Sequence, residues 1–161
     1  MRIALFEPDQ AGNVGTILRT AACFGVAVDV IEPCGFPFSD RALKRAGMDY
    51  AALAEVKRHP DWAAFEAQVE GRLILFTTAP DALPLPAAAF TPADTLLFGS
   101  ESRGAPAEVH ARAELRVRIP QVEGTRSLNL AVAAGIAVAE ALRQMGWAPT
   151  FGPCVVSAGG R

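Results

Sequence analysis

The chain has little of what marks several common protein classes. Its net charge is small, because 15 Lys and Arg residues face 17 Asp and Glu, giving a formal charge of −2 and a pI near 5.7. Bulk positive charge, the usual footprint of a nucleic-acid binder, is missing, although a net charge does not say where the charges lie. Cysteine is sparse. Cys23, Cys34 and Cys154 are odd in number and lack CxxC spacing, so neither a disulfide framework nor a zinc site is expected, and a reducing, cytoplasmic setting fits best. The 2 histidines, His59 and His110, are far apart and outside HxxxH or HExxH spacing, which points to no metal. The opening MRIALFEPD turns acidic early and has neither the apolar core nor the cleavage site of a signal peptide, so export is not expected.

What is present is a globular composition: 161 residues, 51% of them apolar and 20% charged, with a mean hydropathy of +0.24. That length suits one domain, 1–161, with a Gly- and Pro-rich tail, WAPTFGPCVVSAGGR, loosely packed from about 147. Short apolar runs at 3–6 and 26–31 each end in Glu-Pro and read as buried strands. Between them Val14, Ile17, Leu18, Ala21 and Ala22 mark one face of a helix, which Gly25 stops. Further helices are expected around 40–46 and over 61–69, and further strands at 73–77, 96–99 and 115–119. The alternation predicts an α/β fold, a mostly parallel sheet flanked by helices. The segment LPLPAAAFTPAD reads as an extended connector. The longest helix, about 127–145, carries no charge from Ser127 to Ala139, too short a stretch for a membrane span. Its small residues, Ala131, Ala133, Ala134, Gly135, Ala137 and Ala139, cover nearly every side, which suits a helix packed on its own sheet and against a second copy.

Three loops carry chemistry, each after an expected strand. The first holds Asn13, Gly15 and Arg19; it is neither a Walker A loop nor GxGxxG, and taken alone it also reads as an Asn-capped helix with a solvated Arg. The second is Gly99-Ser100-Glu101-Ser102-Arg103-Gly104, at the carboxyl end of a strand where open α/β sheets bind ligands; its plain reading is a turn with a surface ion pair. The third runs from Arg118-Ile119-Pro120 to Thr125-Arg126-Ser127-Leu128-Asn129; its plain reading has Ser127 capping the helix and Asn129 bonding locally.

Taken together in this order, the three loops resemble the SPOUT-class RNA 2′-O-ribose methyltransferases of the SpoU type, whose motifs are NxGxxxR, GxExxG and SLN. The segments LFEPDQAGNVGTILRTAACFG, IEPCGF, RAGMDY, FGSESRGAP, RIP and RSLNLA look most like the short, single-domain tRNA (cytidine(34)-2′-O)-methyltransferase group. The resemblance implies a C-terminal deep trefoil knot, a rare exception to unknotted folds, a homodimer, and S-adenosylmethionine as cofactor. Carried onto this chain, it implies cofactor contacts at Phe76, Thr77, Gly99, Gly104, Ile119, Ser127 and Leu128, largely through backbone groups. Catalytic positions would be Arg19, Asn13, Glu101, Ser127 and Asn129, with Asn13 holding Arg19 or the ribose and Glu101 orienting Arg103 or its own loop. The chain departs from the family pattern at Ala131, where Ser or Thr is usual, and at Ala139, where an aromatic residue is usual.

The implied reaction methylates the 2′-oxygen of the wobble nucleotide, cytidine or a modified uridine, in the tRNA anticodon loop. It needs no metal, but a weakly acidic hydroxyl must lose its proton. A literal arginine base would cost on the order of 8 kcal/mol at neutral pH. The reading adopted here keeps Arg19 charged, clamping a phosphate and acidifying the hydroxyl, with water or a phosphate oxygen as proton acceptor. Two other readings stay open: a doubly wound nucleotide or small-molecule enzyme, which would bind its cofactor without regard to RNA, and a catalytically silent RNA-binding module, which would bind no cofactor. Charge is uneven along the chain. Segments 39–58 and 103–126 are each net +2 while 59–102 is −5. RNA contacts are therefore expected at Arg19, Arg41, Lys44, Arg45, Arg103 and Arg126, few and placed, in a chain where 13 of the 15 basic residues are Arg.

Overall fold

Residues with alternating apolar side chains on both faces can only be satisfied by a sheet covered twice. In the computed structural model, which describes residues 1–37 and 55–147, that sheet has seven parallel strands in the order β3-β2-β1-β6-β4-β7-β5. They are β1 (Arg2–Phe6), β2 (Ala27–Ile31), β3 (Val56–His59), β4 (Leu73–Phe76), β5 (Leu83–Pro84), β6 (Thr95–Phe98) and β7 (Leu115–Arg118). The helices are α1 (Ala11–Phe24), α2 (Trp62–Glu66), α3 (Ala107–Arg112) and α4 (Leu130–Gln144). The α/β class expected from the sequence is the one observed.

Alternation along β1 sorts the core. Ile3 and Leu5 face α1 and α4, joining Val14, Ile17, Leu18, Ala134 and Val138; Ala4 and Phe6 face the other side, with Phe65 of α2 and Val109 of α3. Gly25 ends α1 as expected, in the left-handed conformation at φ 66°, with its N–H donating to the last carbonyls of the helix.

Several boundaries differ from the sequence reading. Helix α1 begins at Ala11 with Gln10 as its N-cap residue, so Asn13 lies inside the first turn and does not cap it. Helix α2 covers only Trp62–Glu66 of the expected 61–69, and Asp61 caps it by accepting from Ala64 N at 2.8 Å. Helix α4 starts at Leu130, not Ser127, because the Asn129 side chain takes the cap position, accepting from Ala131 N and Val132 N. Strand β3, reading VKRH, was not expected: its middle residues face solvent at the sheet edge, so it lacks an apolar signature. Strand β5 and helix α3 were also missed, each too short for a periodic signal. The expected helix around 40–46, with Arg41, Lys44 and Arg45, lies outside the described residues, as does the tail from 148. No described helix is long and apolar enough to cross a membrane.

This topology sets β6, β4 and β7 side by side, so that the loops leaving their carboxyl ends emerge together, beside the loop leaving β1.

Candidate active site

Those loops enclose a cavity of about 520 Å³, within the range of small-molecule sites. Phe76, Thr77 and Thr78 line it from β4, Gly99 to Glu101 and Arg103 to Ala105 from β6, and Ile119, Gln121 and Ser127 to Leu130 from the connection between β7 and α4. Helix α1 contributes Asn13 at one end. Every residue the sequence reading assigned to the cofactor lines this one cavity: Phe76, Thr77, Gly99, Gly104, Ile119, Ser127 and Leu128.

Three motifs, far apart in the chain, meet through hydrogen bonds. Asn129 Nδ2 donates to Asn13 Oδ1 at 2.8 Å, and Asn13 Nδ2 donates to Glu101 Oε1 at 2.8 Å. Glu101 Oε2 accepts from Asp9 N, also at 2.8 Å. Asn13 is 9% exposed, so its amide cannot rely on water and is fixed by these partners. The carboxylate accepts two N–H donors, which identifies Glu101 as the acceptor end of the chain and sets the orientation of both Asn amides. Glu101 therefore orients Asn13 and holds Asp9 N, where the sequence reading gave it Arg103 or its own loop. Arg103 NH2 instead donates to Glu7 Oε2 at 2.8 Å.

The loop at 99–104 is tightly drawn. Ser100 and Gly104 form a two-way backbone pair, at 3.1 and 2.8 Å. A Cβ on Gly99 would lie 2.5 Å from the Gly104 carbonyl carbon and 2.6 Å from Ala105 N, and Gly104 itself sits at φ +69°. One glycine is required by space and the other by conformation.

Arg19 is exposed and is not among the cavity residues. It lies six residues beyond Asn13, about 9 Å further along the helix. Arg126 is likewise exposed and off the cavity wall. Sequence reasoning missed Asp9, Gln10, Thr78 and Gln121. Asp9 and Gln10 directly follow the Glu-Pro that closes β1, a position at the carboxyl edge of the sheet that carries a signal once the strand is placed. Among the described residues no His, Lys or Cys lines the cavity. The wall combines apolar surface from Phe76, Phe98, Ile119 and Leu130 with a few fixed polar groups, the pattern that holds a small molecule in one orientation.

Comparison with known proteins gives the same answer. The model of the SpoU rRNA Methylase family matches residues 1–139. The chain belongs to this family. A relative from Beijerinckia indica, a tRNA (cytidine(34)-2′-O)-methyltransferase, is 48% identical over 146 residues, covering 89% of this chain and 91% of its own. A solved structure described as giving insight into 2-OH methylation of C/U34 on tRNA is 41% identical, with a TM-score of 0.84 over 90% of this chain and 95% of that one. An rRNA methyltransferase from Sinorhizobium meliloti, solved with bound S-adenosylmethionine, is 29% identical with a TM-score of 0.77, over 89% of this chain and 56% of its own. The shared fold and the cavity assembled from its loops thus fall within one methyltransferase family.

Proposed function

We propose that this chain is a tRNA (cytidine(34)-2′-O)-methyltransferase, transferring a methyl group from S-adenosylmethionine to the ribose 2′-oxygen of the wobble nucleotide, cytidine or a modified uridine. The observation that carries the proposal is the Asn129–Asn13–Glu101 chain, which joins all three motifs beside one cavity. Support for the particular substrate comes from the relatives, 48% identical in one case over nearly the whole of both chains.

The cavity fits the cofactor in size and chemistry: it is roomy enough for a nucleoside, apolar on much of its wall, and lined by Phe76 to Thr78, Gly99 to Glu101, Arg103, Gly104, Ile119, Gln121, Ser127 and Leu128. When bound, S-adenosylmethionine supplies an electrophilic methyl group on a sulfonium. Ser127 and Leu128 would hold it together with Phe76, Thr77, Gly99, Gly104 and Ile119. Asn129 and Asn13, locked by Glu101, present fixed amides toward the ribose and exclude alternative rotamers. Arg19 remains a cation, binding the phosphate next to the target ribose and stabilising the developing alkoxide. The proton leaves to water or a phosphate oxygen, because both oxygens of Glu101 are engaged by Asp9 N and Asn13 Nδ2.

The reading includes a homodimer. Val132 and Ile136 are 50% and 38% exposed and four residues apart, an apolar patch on one face of α4. Helix α1, carrying exposed Arg19, lies against α4 in the same layer. A second copy docked on this layer would bring an Arg19 to each cavity from outside it and would join Arg103 and Arg126 of both chains into one RNA surface; RNA contacts at Arg41, Lys44 and Arg45 belong to the same proposal. A C-terminal trefoil knot, a single domain spanning 1–161 and a cytoplasmic setting belong to the same reading.

The test is incubation with labelled S-adenosylmethionine and unmodified tRNA, followed by digestion and identification of the methylated nucleoside. A 2′-O-methyl product at position 34 is expected; no such product on any tRNA would overturn the proposal.

A further inference from the structure

The loop at 99–104 is gripped from outside the cavity by a residue that does not line it. Asp9, in the turn between β1 and α1, accepts at Oδ2 a 2.8 Å hydrogen bond from Ser100 Oγ and another of 2.8 Å from Ser102 N. Its own N–H donates to Glu101 Oε2 at 2.8 Å. One residue therefore holds three consecutive positions of a loop that is more than 90 residues away in sequence. Ser100 is only 4% exposed, so its hydroxyl needs a partner within the protein. Hydrogen bonds from Ser102, then from Ser100, hold the Asp9 carboxyl below its ordinary value, so it stays ionised at neutral pH and these bonds are charge-assisted.

We infer that Asp9 is a positioning residue for the cofactor, acting through Ser100 and Ser102 to set the affinity for S-adenosylmethionine and not the rate of methyl transfer. The inference rests on reading the cavity as the cofactor site. Gly99, Ser100, Glu101 and Gly104 all line that cavity, so the shape of this loop is the shape of one wall. A loop already ordered before binding spares the cofactor the entropy of ordering it. The two halves of Asp9 serve different parts of the site. Its side chain holds Ser100 and Ser102, whereas its backbone N–H supports Glu101 and, through it, Asn13 and Asn129. Truncation of the side chain removes the first function and keeps the second.

The experiment is calorimetric titration of the full chain with S-adenosylmethionine, alongside steady-state methylation of tRNA, for wild type, Asp9→Ala, Asp9→Asn and Gly99→Ala. Asp9→Ala should raise both Kd and KM for the cofactor by about 10- to 100-fold while kcat at saturating cofactor stays within about twofold. Asp9→Asn, which can still present one oxygen to the two donors but without charge, should fall between wild type and Asp9→Ala. A cofactor Kd for Asp9→Ala within about twofold of wild type, or a fall in kcat as large as the rise in KM, overturns the inference. Should Asp9→Ala fail to fold, Asp9→Asn decides alone, and an unchanged Kd there overturns it. Gly99→Ala separates the two layers. If it binds cofactor like wild type, the cavity is not the cofactor site; if it loses binding while the Asp9 variants keep theirs, only the role of Asp9 falls.

Discussion

Asn129 donates a 2.8 Å hydrogen bond to Asn13 across a sequence separation of 116 residues. The Asn129 side-chain oxygen accepts from Ala131 N and Val132 N, the second and third N–H groups of α4. A single residue therefore both starts the last helix and ties it to the first one, so the position of the third motif is fixed by secondary structure as well as by the site. Asn129→Ala should lose the cap and the link together, destabilising the fold by about 1–2 kcal/mol and reducing methylation sharply; chemical denaturation and kcat measured on the same preparation check this.

Glu101 stands at the acceptor end of that chain. In Glu101→Gln one carboxylate oxygen becomes an NH2 facing an N–H donor, either Asp9 N or Asn13 Nδ2. The expected result is a fall in kcat of about 10- to 100-fold with a much smaller change in cofactor Kd, because the amides toward the ribose lose their fixed orientation while the cavity walls remain. Single-turnover kinetics distinguish this from slower product release.

At Gly99 space decides. An added methyl would sit 2.5 Å from backbone at Gly104, so Gly99→Ala must push the two strands of the loop apart. Overpacking of this kind costs about 1–3 kcal/mol, and it should abolish cofactor binding as the wall distorts. Thermal melting with and without S-adenosylmethionine reads both effects: a lower melting temperature and no ligand-induced shift.

Acid stability should depend on Asp94, far from the site. Its buried side chain is 0% exposed and pairs with Arg72 at 2.9 and 2.7 Å and with Thr91 at 2.7 and 2.8 Å. Burial alone would raise its pKa, but the hydrogen bonds from Arg72 and Thr91 outweigh it and hold the carboxyl below the ordinary 3.8. A depressed folded-state pKa contributes stability that is complete above the unfolded value and is lost as the pH falls through the folded one. Urea midpoints should therefore be insensitive to this group above about pH 5 and drop below pH 4. Asp94→Asn should be less stable at neutral pH and lose that part of the acid dependence.

The exposed patch on α4 predicts the oligomeric state. Val132→Glu or Ile136→Glu places a charge in the apolar face proposed to meet a second copy. Analytical ultracentrifugation should show a dimer for the wild-type chain and a monomer for these variants, with methylation lost and the monomer still folded.

Arg19 is exposed, off the cavity wall and about 9 Å along the helix from Asn13. Arg19→Ala should abolish methylation and leave cofactor affinity nearly unchanged. If Arg19→Lys restored a rate that rises with deprotonation of the new amine, a general-base role would replace the phosphate clamp; a pH–rate profile makes that comparison.

The sequence by itself determined the sheet core and the class, and its motifs pointed to part of the cavity wall. Ile3 to Phe6, Leu73 to Phe76 and Leu96 to Phe98 are apolar at every position, and only strands buried on both faces want that pattern. Phe76, Thr77, Gly99, Gly104, Ile119, Ser127 and Leu128 were legible through resemblance to the SpoU-type family, and all seven line the cavity. Tertiary structure alone decided the rest. Val56 to His59 and Leu83 to Pro84 became strands because neighbours offered open backbone groups, not because of any propensity of their own. The partner of Glu101 could not be read locally: Arg103 is two residues away, yet the chain order of the sheet sets Asn13 and Asp9 against the carboxylate and turns Arg103 toward Glu7. Hydrogen bonds act over about 3 Å in space without regard to distance along the chain. Which polar groups satisfy one another is therefore settled only when the strands are in order.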